Sequence, residues 1–108
     1  MTRRLSRQDA QALLRHCVEN GIVEPHPHFL RALKDDGLGF VDVMPILKAG
    51  IVYDEPEFDI RFRQWRYKVE GSEPGGGWLA IVFTFRAAEE TLLITAYLKT
   101  DRRRSRRP

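Results

Sequence analysis

Three segments in the second half of the chain restrict its fold more than any other feature. They are RFRQWRYKVE (Arg61–Glu70), WLAIVFTFR (Trp78–Arg86) and TLLITAYLK (Thr91–Lys99), separated by the turn-like stretches EGSEPGGG and AAEE. Runs of this length, rich in β-branched and aromatic residues and bounded by turn formers, read as strands. Connections this short join antiparallel neighbours. Side chains along a strand alternate between its two faces. In the first segment Gln64, Arg66, Lys68 and Glu70 form a polar row opposite Trp65, Tyr67 and Val69. In the third, Leu92, Ile94, Ala96 and Leu98 are expected to face the core, with Leu93, Thr95, Tyr97 and Lys99 outward. The middle segment is apolar in both rows at first, so it is expected to be central and covered on both sides.

The first half reads as helices. Ser6 is placed to cap a helix, and Asp9 three residues on gives a capping-box-like pattern. Ala10, Leu13, Leu14, Cys17 and Val18 follow at helical spacing, and Asn20-Gly21 is a stop signal, which predicts a helix over Arg7–Asn20. Pro25 and Pro27 keep Ile22–Pro27 extended. A second helix is expected over His28–Asp36 and a third over Val41–Ala49, with Pro45 assigned to the first turn of the latter, where its missing N–H costs little. Ile51-Val52-Tyr53 is expected to begin a further strand reaching towards Phe58. Helices first and strands after predict an α+β fold: N-terminal helices packed on an antiparallel β-meander of three to four strands, in one domain over residues 1–100.

Charge is unevenly distributed. Of the 18 basic and 15 acidic residues, six and one lie in the last ten, so the other 98 carry 12 and 14, a net of −2. The tail from 101 to 108 (DRRRSRRP) is expected to be disordered, being too polar and too repulsive to fold alone. Its Arg102, Arg103 and Arg104 can collect nucleic-acid phosphates, or serve only to solubilise the terminus. No apolar run approaches the roughly 20 residues needed to span a bilayer. MTRRLSRQD has charge but no following apolar stretch, unlike a secretory signal. With a single cysteine, Cys17, an internal disulfide and a Cys-based zinc cluster are both excluded. The expectation is a cytoplasmic protein without a membrane partner.

Chemistry can be carried by few groups. His26 and His28 flank Pro27 but lack a third ligand, so no metal site and no cofactor is expected. The Gly75-Gly76-Gly77 run is not followed by a phosphate-binding helix start, which excludes a P-loop. His28 opens a helix after a rigid segment, and an imidazole there can act as general base or acid, or as a structural cap. Arg61, Arg63, Arg66, Lys68 and Lys99 can hold phosphate, or form cross-strand pairs with carboxylates. Metal-free RNA cleavage needs a base for the 2′-hydroxyl, an acid for the leaving 5′-oxygen and cations around the phosphorane. Tyr97 can supply a proton or stack on a base.

PHPHFLRALKDDGLGFVDVMPILKAGIVYDEP, with WRYKVEG, WLAIVFTF and LLITAY after it, resembles the small domains catalogued as domain of unknown function 4258. The shared pattern is a helix opening with His, a Gly-containing turn, a helix ending before Gly, and strands ending in Thr-x-Tyr. Through ALKDDGLGF and the downstream meander it also resembles, more loosely, the motility-quorum-sensing-regulator (MqsR) toxin. The resemblance covers about Pro25–Lys99 and leaves out the Arg-rich tail and EGSEPGGG. It implies a RelE-like or barnase-like fold and a metal-independent endoribonuclease of the mRNA interferase type, partnered by an antitoxin protein. By the same carry-over His28, Arg66, Lys68 and Tyr97 are the catalytic candidates. Arg61, Arg63, Thr95, Lys99 and Arg102, Arg103 and Arg104 of the tail would contact RNA. The alternative is a non-catalytic RNA- or protein-binding module of the same fold.

Overall fold

The computed structural model describes residues 3–99. In chain order the elements are α1 (Arg7–Asn20), β1 (Ile22–Pro25), α2 (Pro27–Asp35), α3 (Phe40–Ala49), β2 (Glu57–Asp59), β3 (Gln64–Ser72), β4 (Trp78–Ala87) and β5 (Glu90–Leu98). The fold is α+β, with one five-stranded sheet in the order β1-β5-β4-β3-β2.

α1 keeps its expected bounds: Ser6 Oγ accepts the Asp9 N–H at 3.0 Å, and the Gly21 N–H returns to the Cys17 carbonyl. α2 starts one residue earlier than expected. Pro27 occupies the first turn, and the cap is His26, whose Nδ1 accepts the His28 N–H at 2.9 Å. Pro45 lies in the interior of α3 and not in its first turn, so one intrahelical bond is lost there. Gly50 ends α3 hard against β3. A Cβ at Gly50 would stand 2.5 Å from the Ile46 carbonyl oxygen and 2.9 Å from that of Glu70, so only glycine fits between helix end and strand.

The sheet differs from a three- or four-stranded antiparallel meander. The extended segment before Pro27 is a strand, β1, which runs parallel to β5 with Val23 opposite Thr91 and Pro25 opposite Leu93. The sheet is therefore mixed. A parallel pair requires a long crossover, supplied here by α2, α3 and the meander itself. On the other edge the segment from Ile51 to Phe58 is not one strand. Ile51 bridges Glu70 through two backbone bonds, the chain then leaves the edge, and β2 rejoins β3 at Glu57–Asp59. Arg61 to Arg63 form the β2–β3 turn, outside the strand expected to begin at Arg61.

One sheet face is apolar and covered by the helices. Ala10, Leu14 and Cys17 of α1, Phe29 and Leu33 of α2, and Val43, Ile46 and Leu47 of α3 join Tyr67, Val69, Leu79, Ile81, Phe83, Phe85, Leu93 and Ala96 in one core cluster. It contains an aromatic group: Tyr67 stacks on Phe83 at 5.6 Å between centroids, and Phe83 meets Phe85 edge-on at 5.5 Å. The Tyr67 hydroxyl accepts the Leu5 N–H at 2.9 Å, which ties the N-terminal segment to the sheet. Cys17 is buried, and burial pushes its thiol pKa up, so it acts as a small apolar core residue.

β4 is central but not equally covered on both sides. Ala80 and Thr84 of its second row are buried, while Val82 between them is half-exposed. The face away from the helices therefore has an open middle. Replacing the fully buried Phe83 with Ala is expected to cost about 3–5 kcal/mol in urea unfolding, against less than about 0.5 kcal/mol for Val41→Ala, which is 77% exposed. Similar losses from the two variants would contradict this placement of the core.

Candidate site on the open sheet face

In β3, Arg66 and Lys68 alternate with the buried residues Tyr67 and Val69, so both cations go to the face away from the helices. β5 reaches that face through an irregularity. Val82 pairs with Thr95 but Phe83 pairs with Leu93, which leaves Ile94 as an extra residue. Leu93 and Ala96 are both buried in the core although they stand three positions apart, an odd spacing that regular alternation would place on opposite faces. The expected facing of β5 thus holds for Ala96, Thr95 and Tyr97 and fails before the bulge, where Leu93 is inward and Leu92 and Ile94 line the open face.

Two cavities lie side by side on this face. The first, about 360 Å³, is lined by Arg66, Lys68, Val82, Thr95 and Tyr97, with Asp54 and Glu57 along its rim. The second, about 380 Å³, has Leu92 and Ile94 as an apolar floor and is walled by His26, His28, Phe62, Gln64 and Arg66, with Asp59 and Arg86 beside them. Arg66 borders both cavities. His28 thus shares one cavity with Arg66, which shares the next with Lys68, Thr95 and Tyr97.

In the first cavity Lys68 Nζ lies 3.3 Å from the Tyr97 hydroxyl and 3.3 Å from Asp54 Oδ2. Because the ammonium donates to the phenol oxygen, the phenolic O–H is directed to another acceptor. Desolvation alone would lower the Lys68 pKa. The bonds and charges of Tyr97 and Asp54 outweigh it and raise the pKa above its ordinary 10.5. Lys68 is a fixed cation at neutral pH and not a base.

In the second cavity Asp59 ties two residues together. Its Oδ1 accepts the Phe62 N–H at 3.2 Å, and its Oδ2 lies 3.6 Å from Arg66 Nη1. The turn is tight enough to hold Arg63 at φ 53°. Arg86 is drawn to Glu24 at 2.7 Å and Glu90 at 3.6 Å. The His28 and Gln64 side chains have no hydrogen-bond partner among the described residues.

The remaining basic candidates lie elsewhere. Arg61 and Arg63 are exposed on the β2–β3 turn and line neither cavity. Lys99 reaches back to Glu70, 3.6 Å away, whose Oε1 also accepts the Trp78 indole N–H at 2.9 Å. Glu70, expected as an exposed member of the polar row, is 1% exposed. Lys99 is a partner of a buried carboxylate. Arg102, Arg103 and Arg104 lie outside the described residues. Sequence reasoning missed the acidic residues: Asp54 and Asp59 of DEPEFD sit beside Lys68 and Arg66 and compensate them. Among the described residues no group of three or more His, Cys, Asp or Glu could hold a metal ion, and no helix is long and apolar enough to cross a membrane.

The stabilisation from pairing Lys68 is fully present below pH 10.5 and lost only as pH climbs through the higher folded value. Side-chain NMR titration is expected to place the Lys68 midpoint above 10.5, and a midpoint below it would contradict the Tyr97–Asp54 environment.

With this geometry established, comparison with known proteins identifies no relative: no family model, no curated protein and no solved structure matches the chain.

Proposed function

We propose that the protein is a metal-independent endoribonuclease acting on single-stranded mRNA and held in check by an antitoxin protein, in the manner of the toxins it resembles. The observation that carries the nuclease reading is the shared border of the two cavities: an imidazole, a guanidinium, an ammonium and a phenol open onto one sheet face through Arg66. The partner rests on the sequence resemblance alone.

The chemistry assigns each group one task. His28 takes the proton of the 2′-hydroxyl, and the freed oxygen attacks the adjacent phosphorus. Arg66, and Lys68 beside it, offset the negative charge that grows on the phosphorane. The P–O5′ bond breaks as Tyr97 gives its proton to the leaving oxygen. Lys68, already donating to the Tyr97 oxygen, stabilises the phenolate until it is reprotonated from water. The products are a 2′,3′-cyclic phosphate and a 5′-hydroxyl. Thr95 lines the same cavity and offers a hydroxyl to the RNA backbone.

The phosphate must displace Asp59 from Arg66 and Asp54 from Lys68. These pairs are partly exposed and stand at 3.6 and 3.3 Å, so each contributes no more than about 1 kcal/mol. An Arg–phosphate contact can replace that. The same carboxylates favour one other reading, a non-catalytic module, because they leave little uncompensated positive charge for a polyanion.

The test is cleavage of an end-labelled single-stranded RNA in EDTA. Wild-type protein is expected to yield 2′,3′-cyclic phosphate ends. His28→Ala is expected to lose about 10²–10⁴-fold in kcat and Tyr97→Phe about 10²-fold. Intact RNA after prolonged incubation would remove the nuclease reading. Salt-sensitive RNA binding without cleavage would establish the module instead.

A further inference from the structure

We infer that the cavity between Phe62, Gln64 and the Leu92–Ile94 floor is a nucleobase subsite for single-stranded RNA, beside the phosphate position at Arg66. This deepens the nuclease reading and rests on it for the identity of the ligand.

Four observations converge on a flat, polar-edged aromatic guest. Phe62 is 64% exposed although it is a large apolar residue, and it borders a cavity and not the core. Leu92 and Ile94 give that cavity an apolar floor, which the bulge at Ile94 turns outward. The Gln64 side-chain amide borders the same cavity and has no partner among the described residues, so it offers a free donor and a free acceptor side by side. The volume, about 380 Å³, lies within the range of small-ligand pockets. Unpaired bases in RNA are recognised in this way, stacked on an aromatic ring and read along a hydrogen-bonding edge.

The arrangement also answers a difficulty on the phosphate side. Because Asp54 and Asp59 compensate the strand cations, phosphate contacts alone bind weakly. A base held on Phe62 supplies affinity that does not depend on net charge. Asp59 links the two halves, since it holds both the Phe62 backbone and the Arg66 guanidinium. Phe62 and Arg66 are thereby neighbours in the free protein, and displacing Asp59 Oδ2 from Arg66 leaves the bond from the Phe62 N–H to Asp59 Oδ1 available.

The experiment uses the full chain and defined probes: the four ribonucleoside 5′-monophosphates, and ribose 5-phosphate, which lacks a base. In heteronuclear NMR titrations the nucleotides are expected to move the Gln64 side-chain amide and the Leu92 and Ile94 methyl signals, while ribose 5-phosphate leaves them in place. Phe62→Ala is expected to weaken every nucleotide about tenfold. Gln64→Ala is expected to flatten the differences among the four bases. Ile60→Ala, on the same turn at 83% exposure but outside the cavity, is expected to bind as wild type. Equal shifts from ribose 5-phosphate, or unchanged nucleotide affinity in Phe62→Ala, would overturn the subsite.

The two readings fail separately. A wild-type protein that leaves RNA intact yet binds nucleotides at these signals supports the subsite and removes the nuclease. A protein that cleaves RNA with the same KM before and after Phe62→Ala keeps the nuclease and removes the subsite. A KM raised about tenfold with kcat nearly unchanged supports both.

Discussion

The pairing of β4 with β5 slips by one residue at Ile94, and the open face of the sheet depends on that slip. Without it, the alternation that buries Leu93 would carry Thr95 and Tyr97 into the helix-covered core and bring Ala96 out. With it, Leu93 and Ala96 both stay buried, while Ile94, Thr95 and Tyr97 all stand on the other side. One extra residue therefore accounts for both an apolar floor and a phenol on the same strand. Bulges recur where a strand must re-aim a side chain, and here the side chain re-aimed reaches Lys68.

Around that constraint the charges are arranged locally. β3 supplies the cations, and the edge segment from Asp54 to Asp59 returns carboxylates to them. This leaves a face with strong fields at close range and little net charge. Long-range attraction of a polyanion is correspondingly small among the described residues, and a ligand that succeeds there must fit. The same edge sets the β2–β3 turn, so the compensating carboxylates and the exposed Phe62 belong to one short stretch of chain.

Much of the fold was legible because its signals are local. The Ser6 cap, the spacing of Ala10, Leu14 and Cys17 and the stop at Gly21 fix α1 without reference to anything distant. The three long strands follow from their composition and short connections. β1 was readable as extended but not as a parallel partner of β5, because that pairing joins residues nearly 70 apart in the sequence. The bulge left no local mark, since Leu92, Leu93 and Ile94 are interchangeable in polarity. Glu70 read as exposed because its neighbours in the row are polar, and only the arrival of Trp78 and Lys99 explains its burial. Two other features do carry a local signal: Pro27 at a helix start implies His26 as the cap, and DEPEFD is an acidic run next to a basic strand.

The proposed nuclease chemistry requires His28 and Tyr97 to belong to one site joined through Arg66. The most direct measurement is an NMR titration with a single-stranded oligonucleotide whose 2′-hydroxyls are replaced by hydrogen, so that it binds without being cleaved. The His28 imidazole and Tyr97 ring signals are expected to shift along the same saturation curve, with one Kd, and to lose that response together in Arg66→Ala. Separate curves for the two rings, or a shift in one alone, would contradict a single site.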